Sequence, residues 1–180
     1  MKKAIYIFIF FISQYFFGQQ SNQLWKGYFS YNEIVDVESS TNAVFASTQN
    51  ALFSQVVASS NLNVYNSITG LKPDVITTIH HSDAFNKTFV GNNNGLILIQ
   101  NADGSVTTKV DVIEEVPVPP NKKKINDFYE FNGRLYIATD YGISVINLAT
   151  SEFISTYFIG TSGEETEVLK ITVFNNEFYA

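Results

Sequence analysis

Few side chains in this sequence have the types and spacing that chemistry demands. His80 and His81 are adjacent. Neighbours on a strand point to opposite faces, so the pair cannot chelate one ion; both are expected to end a strand. Asn92-Asn93-Asn94 and Asp103-Gly104 are rich in oxygen but lack the carboxylate spacing of a calcium loop, so they read as turns. Glu114-Glu115 and Glu164-Glu165 lie in connecting segments, where they would act as acid and base only if folding joined them. No Gly-x-Ser-x-Gly and no Walker loop occurs. The reading is non-enzymatic, with no catalytic residue, metal ligand or cofactor site.

One irregular stretch interrupts an otherwise regular chain. Ile113 to Lys124 carries Glu114-Glu115, a proline-rich run and then Lys122-Lys123-Lys124. Its prolines stiffen it and oppose strand pairing. With Asn92, Asn93, Asn94, Asp140 and Tyr141, the three lysines form the candidate interaction face, because binding residues concentrate on loops held by a rigid scaffold.

The scaffold is legible as a repeat. Phe45-Ala46-Ser47-Thr48 is matched by Phe89-Val90-Gly91-Asn92 and Tyr136-Ile137-Ala138-Thr139, and Phe178-Tyr179-Ala180 opens a fourth copy. The copies recur every ~40–50 residues, the period of propeller blades. Each repeat reads as four short strands. Asn132-Gly133 marks the first hairpin of the third repeat and Asn175-Asn176 that of the fourth. No segment after Phe17 shows a 3.6-residue apolar period, which leaves an all-β fold. The prediction is a β-propeller of four-stranded blades, about 31–71, 72–121, 124–166 and a truncated 167–180.

Blade packing accounts for the motif. The second strand lies inside the blade, so Phe45, Phe89, Tyr136 and Phe178 are expected to fill the space between blades. Ser47, Gly91, Ala138 and Ala180 would let neighbouring sheets approach. Gly95 and Gly142 suit a positive-φ turn, whereas Ala51 in that place implies a different turn or strain of ~1 kcal/mol. The chain stops inside a strand of the fourth copy, so it is expected to be the N-terminal part of a longer protein. The open arc would expose apolar surface and strand edges.

Composition narrows the partners. Eleven Lys and Arg against seventeen Asp and Glu give a net charge of −6. An acidic surface repels phosphate backbones, which disfavours nucleic acid. Cysteine is absent, so disulfides and thiolate metal sites are excluded. Met1-Lys2-Lys3, the apolar run from Ala4 to Phe17 and the polar Gly18-Gln19-Gln20 follow the plan of a secretory signal peptide over 1–18. Residues 19–30 would then supply an N-terminal strand that either closes the ring at the last blade or caps the first blade locally.

Trp25-Lys26-Gly27-Tyr28-Phe29-Ser30-Tyr31, with Ile34-Val35-Asp36-Val37 and the first Phe-Ala-Ser-Thr motif, resembles the opening of the PorZ family of type IX secretion components. The repeats are also similar to those of two-component-regulator propellers: Gly70-Leu71-Lys72-Pro73-Asp74-Val75-Ile76 resembles their repeat junction. The chain departs in having Phe or Tyr where those repeats carry Trp. The resemblance implies an exported protein at the outer-membrane surface, with protein partners of a secretion complex and a role in handling anionic lipopolysaccharide. The alternatives are an extracytoplasmic ligand-sensing propeller of a two-component receptor, and a carbohydrate-active propeller enzyme.

Overall fold

Branched and aromatic residues alternating with polar ones, punctuated by turn residues, form strands over most of the chain. The computed structural model describes residues 31–180 apart from Ser60 and Pro117. The signal segment 1–18 and the strand expected over 19–30 lie outside the described residues.

The first sheet contains β1 (Asp36–Ser39), β2 (Ala43–Thr48), β3 (Ala51–Val56) and β4 (Leu62–Tyr65). The second contains β5 (Ile76–Ser82), β6 (Lys87–Asn92), β7 (Ile97–Gln100) and β8 (Val106–Lys109). A helical turn, α1 (Asp111–Glu114), and a 3-10 turn (Pro120–Lys122) follow. The third sheet contains β9 (Ile125–Phe131), β10 (Arg134–Thr139), β11 (Gly142–Asn147) and β12 (Phe153–Tyr157). A two-stranded sheet of β13 (Thr172–Phe174) and β14 (Glu177–Tyr179) ends the arc. Every pairing is antiparallel and sequential.

The hairpins form for local reasons. Asn132 and Gly133 have φ of 49° and 72°, and Asn175 and Asn176 have 48° and 65°. Both positions of such a turn require positive φ, which Asn and Gly tolerate. Gly95 (φ 88°) and Gly142 (φ 150°) take positive φ, but Ala51 does not. The first blade therefore uses a different turn, and Ala51 carries no left-handed strain.

The core lies between sheets. Ile97 and Ile99 of β7 pack with Phe128 and Ile137 of the third blade, whereas Leu98 between them packs with Phe45 and Leu52 of the first. Alternate residues of one strand thus serve two interfaces, which is why β7 is buried throughout. In the first three blades the aromatic of the second strand reaches the following blade. Phe45 stacks on His81 with centroids 4.2 Å apart, Phe89 lies 6.4 Å from Phe128, and Tyr136 lies 4.6 Å from Phe178. A Cβ added to Gly91 would come within 2.7 Å of Ile125 Cγ2, so glycine permits that approach.

Candidate interaction face

Polar clasps join successive blades along the innermost strands. The Asp36 carboxylate of β1 accepts from Thr78 Oγ1 at 2.8 Å and the Ile79 N–H at 2.9 Å. Thr77 Oγ1 donates to the Ile125 carbonyl at 2.6 Å. Asn126 Nδ2 donates to the Val168 carbonyl at 3.0 Å, and the Asp127 carboxylate accepts from Lys170 Nζ at 2.8 Å and the Ile171 N–H at 3.3 Å. These bonds fix each blade relative to the next and so hold the turns at either end of the arc.

Residues 110–124 form a folded strap rather than a purely irregular loop. Asp111–Glu114 makes one helical turn, and Val112 and Val118 enter the core between the second and third blades. The prolines of the strap do not prevent this, because α1 precedes them and Pro120 opens the 3-10 turn, where its missing N–H is no cost. Lys123 Nζ donates to the carbonyls of Ile113 and Glu115, closing the strap on itself. Thr156 Oγ1 donates to Glu115 Oε2 at 2.7 Å, and Lys122 pairs with Glu165 at 2.9 Å.

The strap meets the turn between β6 and β7. A Cβ on Gly95 would lie 2.8 Å from the Lys123 carbonyl oxygen and 2.9 Å from Val112 Cγ1. The Asp140 N–H donates to the Lys124 carbonyl at 3.2 Å. The eight residues proposed for the face therefore gather at one end of the blades. Three of them do not present themselves to solvent, which corrects the expectation. Asn92 is fully buried and donates to the carbonyl of Leu96 in its own turn. Tyr141 is fully buried, its hydroxyl 2.7 Å from Ser144 Oγ; burial is the main reason its pKa is pushed above 10.0. Lys123 is buried in the strap. Asn93, Asn94, Lys122 and Lys124 are exposed, and Asp140 is half-buried beside Asn126.

The histidines sit elsewhere, on the inner strand β5. His80 lies between Glu38 and Glu130, each at 3.1 Å. His81 faces Phe45 and Thr88, with Nδ1 3.0 Å from Thr88 Oγ1. The Glu38–His80–Glu130 contact was not legible in the sequence, since its members come from three repeats. Clefts flank the blades among the described residues, two of them at blade interfaces. One of about 300 Å³ lies between the first two, lined by Tyr65, Asn63, His81 and Gln100 among others. The other, about 350 Å³ and mainly apolar, lies beside Tyr136, Tyr157 and Phe178. Among the described residues no group of three or more acidic or histidine side chains is arranged to hold a metal ion, and no helix is long and apolar enough to cross a membrane.

Four-stranded antiparallel sheets packed face to face and clasped along their inner strands define an arc of a β-propeller. A profile of the type IX secretion system PorZ N-terminal β-propeller domain matches residues 44–180. The chain belongs to that family.

Solved structures show the same fold. PorZ, described as an essential bacterial surface component of the type IX secretion system of Porphyromonas gingivalis, superposes with a TM-score of 0.71 at 20% identity, covering 84% of this chain and 20% of that one. The extracellular domain of the putative hybrid two-component system BT3049 from B. thetaiotaomicron gives 0.61 at 19% identity, covering 82% and 19%. Streptogramin B lyase gives 0.53 at 13% identity, covering 67% and 39%. The present chain thus spans about a fifth of the length of the first two. A search of curated protein sequences finds no match.

Proposed function

We propose that this propeller belongs to an exported surface component of a type IX secretion system and acts there without catalysis, as a docking scaffold for protein partners. The observation that carries the reading is the PorZ-domain match over residues 44–180. The rigid arc supports it by holding Asn93, Asn94, Lys122, Lys124 and Asp140 at one end of the blades. Anionic lipopolysaccharide is the second ligand proposed for this face, with Lys122 and Lys124 as its cationic contacts. Lys123 is not part of that surface.

Deletion of the gene for the full-length protein tests the reading. Cargo bearing type IX sorting signals should then remain inside the cell, and complementation should restore its delivery. Normal cargo delivery with an altered transcriptional response to an external ligand would instead favour a sensory propeller, the reading that the likeness to the extracellular domain of a two-component system supports.

A further inference from the structure

His80 is held on both sides by carboxylates from other blades. Its Nδ1 lies 3.1 Å from Glu38 Oε1 on β1, and its Nε2 lies 3.1 Å from Glu130 Oε2 on β9. A ring with an acceptor at each nitrogen satisfies both only when both nitrogens carry protons. The neutral ring leaves a nitrogen lone pair facing a carboxylate. The His80 side chain is 15% exposed, so water replaces the lost contact poorly. We infer that His80 is a proton-operated clasp across three successive blades: protonated, it ties β1, β5 and β9 together, and deprotonated, it lets go of one neighbour and loosens the inner edge of the arc.

The other charged groups nearby are already engaged. On β1, Asp36 is bonded to Thr78 and the Ile79 N–H; on β9, Asp127 is bonded to Lys170 and the Ile171 N–H. Lys87 of β6 turns away to the carbonyls of Leu148 and Ala149, and β2 carries no charged residue. On the same strand as His80, His81 points to Thr88 and lies 3.6 Å from Asp83 beyond the strand end. Burial is the largest single influence on His80 and pulls its pKa down. Hydrogen bonds that the ring donates to Glu38 and Glu130, with the charge attraction of these carboxylates, together outweigh it, and the net shift is upward from 6.5. A raised folded-state pKa means that the clasp is complete below 6.5 and is lost as pH rises through the folded value. His81 shifts the other way and acts below 6.5, so the window above 6.5 reports on His80.

Hydrogen–deuterium exchange on the full-length protein, corrected for intrinsic rates, tests the clasp at pH 6.5 and at about 8.5, roughly two units above the ordinary histidine value. Peptides from β1, β5 and β9 should lose protection across this window more than those from the outer strands β4 and β8. In His80→Gln these inner peptides should be weakly protected at both pH values, with most of the pH response gone. A residue that only packs would lower protection equally at each pH. Should His80→Gln not fold, Glu38→Gln and Glu130→Gln decide the matter, since each removes one carboxylate charge that favours the protonated ring, and its amide can also donate to the neutral ring, so each should shrink the response. Unchanged wild-type protection across the window, or wild-type and variant curves falling in parallel, would overturn the inference.

Discussion

The Asp36 carboxylate on the inner strand of the first blade accepts the main-chain N–H of Ile79 on the inner strand of the second, at 2.9 Å. Asp127 repeats the arrangement two blades on, accepting the Ile171 N–H at 3.3 Å. Each bond satisfies a backbone donor that the next blade's own ladder leaves free, so blade order is fastened by side chains as well as by apolar packing.

Replacing Asp36 by Ala should therefore cost about 1–3 kcal/mol, the usual penalty for leaving a shielded donor without its acceptor. Urea unfolding of the full-length protein, read by exchange in the first two blades, measures it. Stability equal to wild type would show that the clasp contributes nothing.

Gly91→Ala should also destabilise, here through overpacking. The new methyl would sit 2.7 Å from Ile125 Cγ2 and 3.0 Å from Thr78 Cγ2, and forcing such contacts apart costs about 1–3 kcal/mol. Gly104→Ala is the control. Its Cβ would meet nothing within 4 Å, so only the positive φ of 82° opposes it, at about 1 kcal/mol. An equal loss in the two variants would argue against close blade contact at Gly91.

His81 should make the protein acid-sensitive. Burial, the largest influence, lowers its pKa from 6.5, and the charge of Asp83 only partly opposes this. The unfolded chain then binds more protons between the folded value and 6.5, so stability is full above 6.5 and falls as pH drops through the folded value. Denaturant midpoints between pH 7 and pH 5 should decline in wild type and decline less in His81→Phe, which keeps a ring against Phe45. Identical slopes would refute the assignment.

Lys123 should matter to the strap and Lys124 should not. Lys123→Ala removes the donor to the Ile113 and Glu115 carbonyls, so brief proteolysis should cut residues 110–124 faster. The exposed Lys124, replaced likewise, should leave the rate near wild type. Equal sensitivity in both variants would mean that the strap is not held by Lys123.

The blade pattern was legible because it depends on local alternation and on turn chemistry. Asn132-Gly133 and Asn175-Asn176 announced their hairpins, and Phe45, Phe89 and Tyr136 announced strands packed on the next blade. Burial of Asn92, Tyr141 and Lys123 was not legible, because polar turn residues ordinarily face water. Here Asn92 caps its own turn, Tyr141 finds Ser144 inside, and Lys123 finds two strap carbonyls. The helical turn Asp111–Glu114 is too short to show a 3.6-residue period. His80 gains its carboxylates only when three repeats come together, and no spacing along the chain announces that.

Site-specific photo-crosslinking in the full-length protein on living cells tests the docking face most directly. A crosslinking residue at Asn94 or Lys124, beside the strap, should capture secretion-complex partners. The same residue at Asn132, in the hairpin at the opposite end of the third blade, should capture little. Equal capture at both ends, or capture only from Asn132, would contradict the account.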